Sequence, residues 1–312
     1  MAGVHSELKR LRRDQGLLAP LISICRSAVV AAGPWMFTII AMALIGRLVE
    51  FGVAKIDVAT FRVIVIYAFS LSLVIASPVL IVAMRLLADQ LYLRQLQDVP
   101  ALAVSTCLFS MVLSATFSAS IFVAIAQSPM AITIAGTIAC TLTAGIWATL
   151  LFCGAVRDYS GITWAFVAGM TVALLGATAA AWMGGKAVEM AWGFCTGLAL
   201  ILFWLLSRIL FTFPYPIAST REAIVRHLVA MRRYAMLAIG GFAAASAIWI
   251  DKWILWCSPL SEYVSGGLVH APLYDSPMFV AYLSIIPSLA IFLMLLENEI
   301  FERITDFQHS IE

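Results

Sequence analysis

The chain has 312 residues, 63% of them hydrophobic and 12% charged, with a mean hydropathy of +1.01. Soluble domains are roughly half apolar and about a quarter charged. So few charges cannot cover the outside of a water-soluble fold of this size, and a soluble two-domain enzyme is excluded. Nineteen Lys and Arg against 17 Asp and Glu leave a net charge of +2, too balanced for a nucleic-acid binder.

Residues 1–20 mix Leu8, Leu11 and Leu17 with Lys9, Arg10, Arg12 and Arg13, the pattern of an amphipathic segment on a membrane surface. Arg26 precedes the first stretch free of Asp, Glu, Lys, Arg and His, residues 27–46. It reads either as a snorkelling cation or as an anion contact. Pro34 interrupts that stretch and predicts a kink. The second uncharged stretch is 63–84, with Pro78 as its kink, and 85–98 reads as a cytoplasmic extension of the same helix.

Residues 99–156 carry no charge and are long enough for two spans, with Gln127-Ser128-Pro129 as the natural break. The stretches 159–185 and 190–207 follow. Gly161, Ala165, Gly169, Ala173, Ala177 and Ala180 form a four-residue stripe of small side chains, a surface for close helix approach. Residues 213–233 open with Pro214-Tyr215-Pro216, offer a helix start at Ser219 or Thr220, and carry Arg221, Arg226, His227, Arg232 and Arg233. This basic segment reads as a topology and headgroup element, or as a docking surface for a cytoplasmic partner.

The seventh stretch, 234–250, holds a second small-residue surface at Gly240, Gly241, Ala243, Ala244, Ala245 and Ala247. It runs into Trp249, Asp251, Lys252, Trp253 and Trp256. Charges inside a span are costly and are the first functional candidates. Two readings of Asp251 and Lys252 are open. One is an interfacial aromatic belt with a snorkelling lysine. The other is a carboxylate facing a hydrated cavity, where it could take a proton or meet substrate, with tryptophan faces suited to sugar rings. Residues 258–276 form the longest external loop, and His270 and Asp275 are too sparse for a metal site. The eighth stretch is 276–296, with Pro287 as its kink.

The sum is an all-α polytopic membrane protein with about eight transmembrane helices, because each backbone N–H in lipid must be satisfied within its own segment. Placing the N-terminus in the cytoplasm puts fourteen of the nineteen Lys and Arg on that side. The segment 213–233 divides the chain into a six-helix N-terminal lobe, 21–212, and a partial second lobe, 234–312, with two helices. The cysteines Cys25, Cys107, Cys140, Cys153, Cys195 and Cys257 form no C-x-x-C pair and read as small buried hydrophobes. No phosphate-binding glycine loop and no catalytic constellation is visible, so neither a cofactor nor an enzyme activity is expected.

The opening Met1-Ala2-Gly3-Val4-His5-Ser6-Glu7-Leu8-Lys9-Arg10-Leu11, followed by Ser27 through Gly33-Pro34-Trp35, resembles the start of the PelG family. The likeness returns at Ile248-Trp249-Ile250-Asp251-Lys252, at Tyr274-Asp275-Ser276-Pro277-Met278, and through Ala281-Tyr282-Leu283 and Ile286-Pro287-Ser288-Leu289-Ala290. Val4-His5-Ser6 departs from the apolar-Gly-Phe stretch usual in the family. The resemblance implies a fold like the polysaccharide flippases and the multidrug and oligosaccharidyl-lipid exporters, two six-helix lobes around a central cavity. It implies export of an amino-sugar-rich exopolysaccharide across the bacterial inner membrane for biofilm matrix. It implies as partners the cytoplasmic Pel glycosyltransferase and the membrane-anchored cyclic-di-GMP receptor component. Family chains carry roughly four more helices, so a chain ending at Gln308-His309-Ser310-Ile311-Glu312 is expected to be a fragment, a truncated gene or a protein needing a second chain. The rival functions are a multidrug or lipid-linked oligosaccharide flippase of the same superfamily, and a non-transporting scaffold for a glycosyltransferase.

Overall fold

The computed structural model describes residues 36–49, 52–217, 220–264 and 267–275, with positions 277, 278, 281, 284, 288 and 292 beyond them. The predicted surface segment 1–20, Arg26, Pro34, Pro287 and most of the eighth predicted span lie outside the described residues. The chain divides into two compact units, residues 1–39 with 276–312, and residues 40–275. The second unit holds nearly all described residues.

The protein is a polytopic helical membrane protein. Its helices are α1 (Met36–Leu48), α2 (Lys55–Tyr92), α3 (Val99–Ser120), α4 (Met130–Ala155), α5 (Tyr159–Trp182), α6 (Ala187–Thr212), α7 (Thr220–Arg233) and α8 (Ala235–Trp256). A π-helical turn, Ile121–Ile125, extends α3. Among the described residues six helices are long and apolar enough to cross a membrane: α2, α3 with its extension, α4, α5, α6 and α8. Among the described residues the only strands are β1 (Glu262–Tyr263) and β2 (Val269–His270), which pair antiparallel. The external loop of the sequence reading is therefore a small hairpin.

The break at 127–129 falls where expected. Pro129 precedes the first helical residue of α4, and Gln127 takes a left-handed φ of 48°. The helix start near Thr220 and the extension of α2 past Met84 also hold. α2 reaches Tyr92 and then closes on Arg94, whose φ is 56°, with the Gln95 N–H donating to the Gln90 carbonyl at 2.9 Å. α4 closes in the same way: Arg157 has φ 59° and Asp158 N donates to the Cys153 carbonyl at 3.0 Å. These are left-handed closures that satisfy orphan carbonyls, and they place an arginine at the negative end of a helix dipole.

Asp158 then starts α5, accepting from the Gly161 N–H at 3.1 Å. Its other carboxylate oxygen takes the Arg208 Nε–H at 2.7 Å. The Arg208 guanidinium holds the Asp158 carboxyl below the usual carboxylate range, and the Gly161 bond acts in the same direction.

Polar groups at membrane depth are satisfied locally. Thr106 donates to the Leu102 carbonyl and Thr143 to the Ala139 carbonyl, each at 2.7 Å. Bonds of this kind let hydroxyls sit in an apolar bundle without seeking water. Cross-helix bonds are fewer. Trp147 Nε1–H donates to the Ser72 hydroxyl at 3.2 Å, tying α4 to α2. Ser114 donates to the Cys140 carbonyl at 3.2 Å, tying α3 to α4.

α4 packs against α2, α3 and α6, and α6 lies along α5. The α5–α6 contact is the tightest. The predicted stripe on α5 is buried at Gly161, Ala165, Gly169, Ala173 and Ala177. It meets Gly193 and Gly197 of α6, a pair the sequence reading did not single out. A Cβ at Gly193 would run into the backbone of Gly176, and one at Gly197 would meet the Gly169 carbonyl and lie 2.5 Å from Ala173 Cβ. The small residues of α8 behave differently. Ala245 is buried and Gly241 faces Ile81 of α2, but Gly240, Ala243, Ala244 and Ala247 are exposed. Cys107, Cys140, Cys153 and Cys195 are buried as expected, whereas Cys257 is exposed.

Pro78 lies inside α2, which continues through it. Its missing N–H leaves the Val74 carbonyl without a helix donor, and the Ser77 hydroxyl donates there at 2.9 Å. One residue on, the Val79 carbonyl lies 3.2 Å from Nε2 of His227 on α7. A carbonyl only accepts, so Nε2 carries the proton in the neutral ring. His227 is fully buried and packs edge-on against Phe109 at 5.7 Å. Burial pushes its pKa below the ordinary imidazole value, and the Val79 bond offsets only part of that.

Two outcomes follow from this packing. Gly197→Ala should lower the thermal stability of the detergent-solubilised protein by about 1–3 kcal/mol through overpacking, while Gly240→Ala, which has open space around it, should be neutral or stabilising. For His227, the folded state binds fewer protons than the unfolded state below the ordinary value of 6.5. Stability is therefore retained above that pH and falls as pH drops through 6.5 toward 5, by at most about 1.4 kcal/mol per pH unit. A melting series from pH 8 to pH 5 should show a steeper acid loss for the wild type than for His227→Gln.

Candidate functional site

α8 places ionisable groups inside an apolar helix, and the structure shows what they touch. The buried face of α8 is Ala238, Ala245, Trp249 and Lys252. Lys252 is only 6% exposed, and its ammonium sits 5.0 Å from the Trp249 ring centroid. A desolvated ammonium over an indole face gains a cation–π attraction. The sequence pattern set Lys252 on the flank of the tryptophans; the structure sets it with Trp249 on the buried side.

Asp251 is half-buried. Its Oδ2 accepts the Tyr274 hydroxyl at 2.6 Å, and its Oδ1 accepts the Lys252 backbone N–H at 2.8 Å. A phenol donating to a carboxylate at that distance is a short, strong bond. Tyr274 belongs to the short helical segment 272–275 after β2, so this bond ties the end of the hairpin to α8.

The next turn of α8 makes a second tie. Trp256 stacks on Tyr67 of α2, with centroids 4.6 Å apart and planes 5° from parallel. Its indole N–H donates to Asp275 Oδ2 at 3.3 Å, and the same oxygen accepts the Ala271 N–H at 3.0 Å. Tyr67 in turn donates to the Val269 carbonyl in β2 at 3.2 Å and lies 6.1 Å from Phe122 in the π-helical turn. Gly267, with φ 74°, passes so close to the Ala126 carbonyl that a side chain there would strike it. The hairpin is thus pinned to Tyr67 within α2, to the turn that ends α3 and to the end of α8.

Of the residues singled out in the sequence, Trp249, Asp251 and Lys252 are brought together. Trp253 is half-buried and joins none of these contacts. Arg26 lies outside the described residues. Pro78 sits in α2 near the opposite end of the bundle, where α7 docks. Tyr67 and Asp275 carry contacts the sequence pass did not assign. Asp275 is 9% exposed and its Oδ1 has no hydrogen-bond partner. Its position in the Tyr274-Asp275 motif was the available signal; Tyr67, inside an uncharged run, offered none.

Taken together, the cluster presents two carboxylates, one ammonium, two phenols and two indoles at one end of the bundle. Such a set can bind hydroxyl-rich or charged ligands and stack on flat rings. Among the described residues, no group of three or more His, Cys, Asp or Glu side chains is placed to hold a metal ion.

The comparisons with known proteins bear on the whole chain. No curated protein and no solved structure matches it. The family model of PelG, described as "Putative exopolysaccharide Exporter (EPS-E)", matches residues 1–312. The chain, with its apolar spans and the motif residues gathered at the end of α8, belongs to the PelG exopolysaccharide exporter family.

Proposed function

We propose that this chain moves an amino-sugar-rich exopolysaccharide across the bacterial inner membrane for biofilm matrix, with its N-terminus in the cytoplasm. The observation that carries this reading is the cluster at the end of α8, where a buried Lys252 and the Asp251–Tyr274 pair stand among aromatic rings. An exporter family supplies a saccharide substrate. The cluster supplies hydrogen-bonding carboxylates and indole faces suited to sugar hydroxyls and rings. In the proposed topology this end faces the periplasm, and the basic α7 faces the cytoplasm.

On this reading 213–233 separates an N-terminal lobe, 21–212, from a partial second lobe, 234–312, and residues 1–20 lie on the inner membrane surface. Arg26 is then an additional anion contact on the pathway, and Pro34 and Pro287 join Pro78 as kinks. The basic segment 213–233 meets the cytoplasmic Pel glycosyltransferase, and the cyclic-di-GMP receptor component completes the assembly. Membership of an exporter family favours this over a scaffold that carries no flux.

Asp251→Asn, Trp253→Ala and Tyr274→Phe should each lower matrix polymer secretion while leaving membrane insertion and protein level unchanged. For Tyr274→Phe, which deletes one bond to a charged group, the expected loss is about tenfold. The readout is secreted polymer per cell beside a membrane-fraction immunoblot. Wild-type secretion from Asp251→Asn and Tyr274→Phe would remove this cluster from the pathway, and from Trp253→Ala would remove Trp253.

A further inference from the structure

α7 packs one face against the bundle and leaves the other uncovered. Ala223, His227 and Ala230 are buried, on the side where His227 reaches the Val79 carbonyl. The opposite arc carries Val225, Leu228 and Val229, which are 52%, 44% and 60% exposed, with the exposed Arg221 and Arg232 among them. At about 100° per residue these five side chains share roughly a third of the helix circumference. Single apolar side chains on a surface are ordinary, but three on one arc mark a contact surface. Both neighbours of α7 in the chain are spanning helices. The last turn of α6 exposes Phe211, and the first turns of α8 expose Met236 and Ile239. α7 therefore joins two spans at the level where one leaves the bilayer and the other enters it.

The charge of this arc is not balanced. Arg226, at its edge, is committed to Asp98 at 2.9 Å, and Arg233 lies 5.7 Å from the Tyr234 ring centroid. Among the described residues neither Arg221 nor Arg232 forms an ion pair. Glu222 is the one carboxylate of α7. With the Arg226–Asp98 pair set aside, Arg221, Arg232 and Arg233 outnumber it three to one. Branched aliphatic side chains interleaved with unpaired guanidiniums suit neither open water nor an apolar protein interface. They suit the boundary between acyl chains and headgroups, where arginine stems lie along apolar surface and the charged ends reach phosphate.

We infer that the outer arc of α7 is an interfacial surface that seats in the headgroup layer and gathers anionic phospholipid, with Val225, Leu228 and Val229 at the acyl boundary and Arg221 and Arg232 on the headgroups. The apolar side chains select a membrane over a soluble polyanion, and the uncompensated arginines select anionic lipid over zwitterionic lipid. The inference stands on α7 and its two neighbours and does not depend on the transport reading. A protein partner of the basic segment then has the exposed stretch 214–217 to meet.

The test uses the full chain in phosphatidylcholine vesicles, with Cys25→Ser and Cys257→Ser as background and a fluorophore attached through Val229→Cys. The quencher is phosphatidylglycerol or phosphatidylcholine carrying a nitroxide high on one acyl chain, each at the same low mole fraction. Both lipids should quench the label, and phosphatidylglycerol should do so about fivefold more strongly, the scale of one basic residue acting on an anionic headgroup. Arg221→Gln with Arg232→Gln should bring the two lipids level and leave quenching by phosphatidylcholine in place. Raising the salt from about 0.1 M to about 1 M should shrink the preference in the unsubstituted arc, a check that needs no arginine variant. Absence of quenching by either lipid would place the arc in water or under a protein partner and overturn the proposal. So would equal quenching by the two lipids with both arginines present, or a preference that survives their replacement.

Discussion

A proline cannot donate a backbone hydrogen bond, and in the middle of α2 two other helices dock beside that one missing N–H. At membrane depth no water repairs the loss. Ser77 repairs it from within the helix, donating to the carbonyl that Pro78 leaves bare. The same stretch then receives two neighbours. His227 of α7 reaches the Val79 carbonyl, and Gly241 of α8 comes close enough that a Cβ there would lie 3.3 Å from the Ser77 carbonyl. The break in the ladder costs α2 some rigidity, and it falls where an imidazole and a glycine pack against the helix backbone. Val82, Ala230 and Ala238 close an apolar cluster around this junction, joining α2, α7 and α8.

The far end of α8 is secured by different chemistry. An ammonium removed from water must gain something in exchange, and Lys252 has the Trp249 face, with the Asp251 and Asp275 carboxylates near enough to act on it. Each carboxylate is in turn engaged: Asp251 by Tyr274, Asp275 by Trp256 and the Ala271 N–H. The outcome is a network in which the two buried charges, Lys252 and Asp275, depend on these neighbours for their partners. Such networks carry high stakes in a low-dielectric setting. They also explain why a hairpin with only two residues in each strand holds its position. Its own ladder is too short to be stable, and Tyr67, Tyr274 and Asp275 fasten it to helices.

The helices themselves were legible because lipid imposes a rule that sequence obeys openly. Uncharged runs of the right length are spans, and Gln127-Ser128-Pro129 breaks the longest one because proline and a polar pair end a helix there. The α5 stripe was legible too, since Gly161 through Ala177 repeat every four residues. Its complement on α6 was missed although Gly193 and Gly197 form a G-x-x-x-G pair, a spacing that marks close helix approach without saying which helix faces it. The alanines of α8 show the converse. Ala243, Ala244 and Ala247 have the composition of a packing surface but are exposed, because periodicity fixes a face and not its neighbour. Tyr67 was beyond reach for a related reason. It meets Val269 across 202 residues of chain, and no local pattern encodes a contact of that range.

These packing modes divide the second unit into parts of unequal firmness. α5 and α6 touch backbone to backbone through glycine, so their separation would forfeit many close contacts at once, and the Arg208–Asp158 bond locks their ends. α8 is held otherwise. Only 22% of its apolar window is buried, against 56% for α2. Its anchors are concentrated near its two ends, at Gly241 with the Pro78 junction and at Trp249 to Trp256 with the hairpin. Between them, Ala243 and Ala244 leave a surface with little side chain to interlock. A helix tied at discrete points through polar and aromatic groups separates from its neighbour at lower cost than one zipped along its length. The ties at the hairpin end run through the charged side chains Asp251, Lys252 and Asp275. α8 is therefore an element whose attachment rests on a few charged and aromatic contacts.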